Sequence, residues 1–139
     1  MARWTVAGGY VDNELEVVTK AKELCRYVVQ ATDKSPRRFR FTFVSRMQNQ
    51  ALDIVEYLFL ANEVFVGAGA RPEAHDRRLD LQHRAMTTAK LLAYVALLAR
   101  EQACITPKQY EMIAELTTSC RKMTGAWVTS DRKRARVPR

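Results

Sequence analysis

The chain has 139 residues, with 23 Lys and Arg against 15 Asp and Glu for a net charge of +8, and only 5 Gly, 4 Pro and 3 Cys. This is the size of one domain able to bury a core, and the scarcity of Gly and Pro excludes collagen-like and Pro/Gly-rich disordered chains. The longest uninterrupted apolar run, Leu91 to Ala99, is nine residues, against the roughly 20 of a membrane-spanning helix; with no signal-like apolar stretch at the start, a cytoplasmic protein without membrane association is expected.

Breakers at Gly8-Gly9, Ser35-Pro36, Gly67 to Pro72 and Thr106-Pro107 divide the sequence into four long segments, all read as helices. The predicted fold is all-α: an up-down antiparallel four-helix bundle at 13–130, preceded by an extension at 1–12 and followed by a basic tail at 131–139. The first helix opens on the capping signal Asn13-x-x-Glu16 and repeats Val17, Ala21, Leu24 and Val28 at steps of three and four.

The second helix is predicted over about Pro36 to Val66. Its opening Arg38-Phe39-Arg40-Phe41-Thr42-Phe43 alternates like a strand, but the Ser35-Pro36 capping signal and the helical spacing downstream overrule that reading. Phe39, Phe43, Met47, Ile54, Leu58, Ala61 and Phe65 form one apolar face, while Phe41, Leu52, Val55, Phe59 and Val66 form a second. A bundle core covers only one face of a helix. The second stripe therefore predicts self-association into a homo-oligomer.

The third helix, Pro72 to about Gln102, places Leu81, Ala85, Thr88, Leu92, Val95 and Ala99 on one face. The fourth starts at the capping box Thr106-Pro107-Lys108-Gln109 and carries Ile113, Leu116, Cys120, Met123 and Trp127.

Catalytic patterns are missing from the sequence. His75 and His83 stand eight residues apart, away from the i, i+4 spacing of a metal pair on a helix, and Cys25, Cys104 and Cys120 form no C-x-x-C pair. There is no Gly-rich phosphate loop, no G-x-S-x-G, and no pair of carboxylates set among apolar residues. No enzyme activity, metal or cofactor is expected.

Basic clusters carry the positive signal. Arg37, Arg38, Arg40 and Arg46 crowd the start of helix two, and Arg121 and Lys122 lie on helix four. Arg71, Arg77, Arg78, Arg84 and Lys90 run from the second connection down helix three, and Arg132, Lys133, Arg134, Arg136 and Arg139 close the chain. In an up-down bundle the tail returns to the start of helix three, so Arg71, Arg77, Arg78 and the tail would build one cationic end. Arginine makes up 16 of the 23 basic residues, and its planar fork suits phosphate oxygens. The expected partner is RNA or DNA, held through its backbone.

The stretch Lys34-Ser35-Pro36-Arg37-Arg38-Phe39-Arg40-Phe41, then Ile105-Thr106-Pro107-Lys108-Gln109-Tyr110-Glu111 and Arg121-Lys122-Met123-x-Gly125-Ala126-Trp127, resembles the Avd-like four-helix bundle family. That family contains the accessory variability determinant of diversity-generating retroelements and the related ribosomal-RNA intervening-sequence proteins. The likeness covers about residues 13–130. It implies a basic, barrel-shaped homopentamer, without enzyme activity, that binds a reverse transcriptase and its template RNA and supports adenine-directed mutagenic copying. It makes Arg77, Arg78, Arg84 and Lys90 candidate contacts to polymerase or RNA, and Thr106-Pro107 and Trp127 structural. Family members often carry Gly-Gly-Trp where this chain has Gly125-Ala126-Trp127. The intervening-sequence branch implies an alternative, an oligomeric structural or interaction protein with no polymerase partner.

Overall fold

The computed structural model describes residues 9–136, with side chains over residues 16–135. Every regular element among them is helical: α1 Gly9–Thr32, α2 Ser45–Glu63, α3 Ala74–Glu101 and α4 Pro107–Arg136, with a short 3₁₀ turn at Arg37–Phe39 and a π-helical turn at Arg40–Val44 leading into α2. α1 packs on α2 and α4, and α3 packs on the same two helices from the other side.

The apolar stripes meet as their spacing requires. Leu24 and Val28 from α1, Met47, Ile54 and Leu58 from α2, Leu92 and Ala96 from α3, and Ile113 from α4 are all fully buried. Each large aliphatic side chain removed from water contributes about 1.5–3 kcal/mol. α3 supplies mostly small residues to this core, Ala85, Ala89, Ala96 and Ala99, which lets its neighbours approach closely. On α4 the buried positions include Thr117 and Thr124, whose hydroxyls donate to the carbonyls of Ala114 and Cys120 at 2.9 and 2.7 Å. Main-chain oxygens thus satisfy the two hydroxyls without a partner helix.

Several boundaries differ from expectation. α1 is already helical at Gly9, the first described residue, so the Asn13 signal lies inside a helix and residues 9–12 belong to it. The second segment is helical in three pieces rather than one, and α2 ends at Glu63 with Val64 extended. Phe65 and Val66 therefore lie beyond the helix faces assigned to them, and Phe65 is exposed. Residues 131–136, expected as a tail, continue α4.

The alternating Phe run is helical because Phe39 and Phe43, one turn apart, pack together with ring centroids 5.7 Å apart and half-bury against the core, leaving Phe41 outside. A strand would have sent all three to one side.

The connections fix the helix ends. Ser35 does not cap the second segment; its hydroxyl donates to the carbonyl of Cys104 at 2.7 Å, tying the α1–α2 connection to the α3–α4 connection. α3 closes on a Schellman turn, with Cys104 N–H donating to the Ala99 carbonyl and Ala103 N–H to the Arg100 carbonyl, and Ala103 at φ 63°. That left-handed position usually falls to glycine. At α4 the capping box forms as expected: Thr106 Oγ1 accepts from Gln109 N–H, and Gln109 Oε1 accepts from Thr106 N–H, both at 3.0 Å. Thr106→Ala removes one of these bonds and is expected to lower stability by about 1 kcal/mol, read from urea unfolding, while Ser35→Ala leaves the α4 cap untouched.

Candidate nucleic-acid interface

The sequence-predicted cations fall into three environments. Arg78 is the exception to an exposed surface: its side chain is 4% accessible. Arg78 and Gln82 lie on the inward stripe of α3 that continues through Ala85, and Asp131 lies four residues beyond Trp127 on the inward stripe of α4. The Arg78 guanidinium meets the Asp131 carboxylate as a fork, donating from Nε and Nη2 at 2.9 and 3.0 Å, while Nη1 donates to the Val64 carbonyl at 3.2 Å. Gln82 Nε2 donates to the same carboxylate at 3.1 Å, and Arg134 donates to it from one turn further along α4. The guanidinium also lies over the Trp127 ring, 4.8 Å from its centroid. Arg78 is thus an internal tie between the start of α3, the end of α4 and the chain leaving α2, and is withdrawn from the surface where the sequence placed it.

This tie brings together the ends that carry the other candidates. Arg71, Arg77, Arg132, Lys133 and Arg134 are exposed at that end of the bundle. The Arg136 side chain lies outside the described residues, although its backbone is part of α4. Acidic groups are interleaved: Glu63 and Glu73 share a cavity of about 420 Å³ with Arg71 and Arg77. Arg77 and Arg84, two helical turns apart, face the same way. Arg84 is exposed and donates from Nε to the Asp80 carboxylate at 2.8 Å, and the bond to that carboxylate, with a smaller contribution from Tyr57, holds its guanidinium above its ordinary pKa. Lys90 does not join them. Six residues past Arg84, it lies about 120° around the α3 axis, in the groove facing α4, where it lines a cavity with Arg121 and Lys122.

The predicted self-association stripe is present in part. Phe41, Leu52 and Phe59 are 86%, 55% and 52% exposed. Val55 is half-buried against the core, and Val66 belongs to the connection after α2. Gln48 donates to Thr32 Oγ1 at 2.9 Å, which fixes the face that α2 turns to α1. At 100° per residue that register sets Val29, itself 47% exposed, beside Leu52.

Among the described residues no group of three His, Cys, Asp or Glu gathers as a metal site. Cys25, Cys104 and Cys120 are free thiols. Burial pushes the Cys120 thiol up to about 11 and raises the other two, which keeps them protonated at neutral pH. No helix among the described residues is long and apolar enough to cross a membrane.

The sequence reading missed Asp131 and Gln82. Their signal was periodicity: Asp131 extends the Ile113, Cys120, Trp127 stripe in steps of four and seven, and a lone carboxylate on a buried stripe needs a buried cation. Compared with known proteins, the chain matches no family model, no curated protein and no solved structure.

Proposed function

We propose that the chain is a non-catalytic nucleic-acid-binding accessory protein of a diversity-generating retroelement, an Avd-like bundle that binds the element's reverse transcriptase and template RNA in the cytoplasm. The observation that carries this reading is the set of exposed cations, Arg71, Arg77, Arg84, Arg132, Lys133 and Arg134, on a rigid helical scaffold. Exposed cations held on helices suit sequence-independent contact with a phosphate backbone. The four-helix architecture and the motifs at Lys34 to Phe41 and Ile105 to Trp127 support the family assignment. The contact between Arg78 near the start of α3 and Asp131 near the end of α4 supports an up-down antiparallel arrangement.

The protein works as a homo-oligomer, five copies by the resemblance, assembled through the α1–α2 face around Val29, Leu52 and Phe59. Exposed side chains of this size in one register favour a covered face. Light scattering on the native chain is expected to give a multiple of the protomer mass, and Leu52→Glu with Phe59→Glu to give the protomer alone with unchanged helix content. A native monomer at micromolar concentration contradicts the assembly.

The functional test is co-expression of the tagged chain with a retroelement reverse transcriptase and its template RNA. Retention of both on the tagged chain, with loss of RNA on Arg77→Glu with Arg84→Glu, supports the accessory role. Retention of neither argues for the intervening-sequence type of protein.

A further inference from the structure

The outer side of the α3–α4 pair carries a groove that the nucleic-acid reading does not use. One half, a cavity of about 460 Å³, is lined by Leu91, Ala93, Tyr94, Leu97 and Tyr110 together with Thr87 and Lys90. The other half, about 320 Å³, is lined by Met86, Thr118, Arg121 and Lys122 and shares Thr87 and Lys90 with the first. The two depressions adjoin at Thr87 and Lys90 along the α3–α4 groove. The span of the groove along α4, from Tyr110 to Lys122, is about 18 Å at 1.5 Å per residue.

Two properties of the lining identify an occupant. Leu91 and Tyr94 are 49% and 60% exposed, so the apolar half offers large side chains only partly covered by the described residues. The lining of the basic half holds three cations and no carboxylate, and Arg100 lies over the Tyr110 ring at 5.8 Å. We infer that the α3–α4 groove binds an acidic amphipathic helix of a partner protein, its apolar side chains seated on Leu91, Tyr94 and Leu97 and its carboxylates on Lys90, Arg121 and Lys122. About three turns of helix fill the groove, and apolar anchors at i, i+3 or i+4 and i+7 match its length. A nucleic-acid strand finds cations at Lys90, Arg121 and Lys122 and stacking faces at Tyr94 and Tyr110, but it leaves Leu91 and Leu97 without an apolar partner, whereas an amphipathic helix matches the whole lining. The groove lies about 120° around α3 from Arg77 and Arg84, so this site stands apart from the cationic end and does not rest on the accessory reading.

The test is fluorescence anisotropy with the full-length protein and a fluorescein-labelled synthetic helix of about 14 residues, leucines at the i, i+3, i+4 and i+7 positions and glutamates elsewhere. Saturable binding in the micromolar range is expected. Tyr94→Ala, and separately Lys90→Glu with Arg121→Glu, weaken it at least about tenfold, while Arg77→Glu with Arg84→Glu leaves it unchanged. The same peptide with lysines in place of glutamates does not bind. Equal binding of the two peptides, or indifference to both groove variants at unchanged circular dichroism, overturns the proposal. So does either rival occupant: labelled single-stranded RNA whose binding is lost in the groove variants and kept in Arg77→Glu with Arg84→Glu, or a native assembly that Tyr94→Ala dissociates to protomers.

Discussion

Arg78→Ala is expected to destabilise the folded chain by about 3–5 kcal/mol, because it leaves the Asp131 carboxylate buried without its main counter-charge. The side chain is almost inaccessible, and it closes the Asp131 fork, the Val64 carbonyl and the Trp127 face together. Urea unfolding would show the loss as a lower midpoint with an unchanged slope. The pair is not itself a large net gain, since desolvating two charges offsets much of their attraction. Exchanging both for apolar residues of similar volume, Arg78→Met with Asp131→Leu, removes the uncompensated charge and is expected to cost less than Arg78→Ala, the remaining loss coming from the Gln82 amide and the Val64 carbonyl left unpaired. The same physics separates two truncations one residue apart. Ending the chain at Asp131 removes Arg132, Lys133 and the Arg134 bond to the carboxylate but keeps the Arg78 fork, so a small loss of stability and weaker polyanion binding are expected. Ending it at Ser130 also removes the carboxylate that takes the Arg78 fork and the Gln82 amide, and is expected to destabilise clearly more than the first truncation. Equal stability of the two truncated chains would show that the tie contributes nothing.

Reversing two surface charges, Arg77→Glu with Arg84→Glu, is expected to weaken RNA binding on the order of 100-fold at about 0.1 M salt. Each lost phosphate contact removes roughly 0.7–0.9 from the salt slope, and the added carboxylates repel the backbone. Both residues are exposed and lie on one face of α3. Reversal of Arg84 also sets a like charge opposite Asp80, a cost of only a few tenths of a kcal/mol on a helix surface. The variant should therefore unfold at nearly the native midpoint, which separates lost binding from lost structure. Lys90→Glu, on the far side of the helix, is expected to reduce RNA binding much less. Comparable losses from the two substitutions would mean that the nucleic acid wraps α3 rather than lying on its Arg77 side.

The four helices and their buried faces were legible because three- and four-residue spacing reports directly which side of a helix meets the core, and Leu24, Ile54, Leu92 and Ile113 are buried as that spacing requires. Caps were legible where hydroxyl and amide stand three residues apart, as at Thr106 and Gln109. They were not at Ser35, where the sequence signal was right for a cap and a carbonyl 69 residues away took the hydroxyl instead. Long-range pairing has no local signature. The same limit explains Arg78: counted as one more arginine in a basic run, it differs from Arg77 only by about 100° of rotation, which turns one into the core and the other into water. Asp131 was assigned to a tail because charge composition changes at Ser130, although helical periodicity does not. Ala103 held no signal at all, since alanine rarely takes the left-handed turn that closes α3.

The proposed function has helix-borne cations hold nucleic acid by its backbone. It is tested most directly by measuring the affinity of the full-length protein for a labelled single-stranded RNA across a salt series from about 0.05 to 0.2 M. Affinity is predicted to fall linearly on a log–log plot, with the slope reduced by between about one and two in Arg77→Glu with Arg84→Glu. Absence of binding at the lowest salt, or binding whose strength does not change with salt, would contradict it.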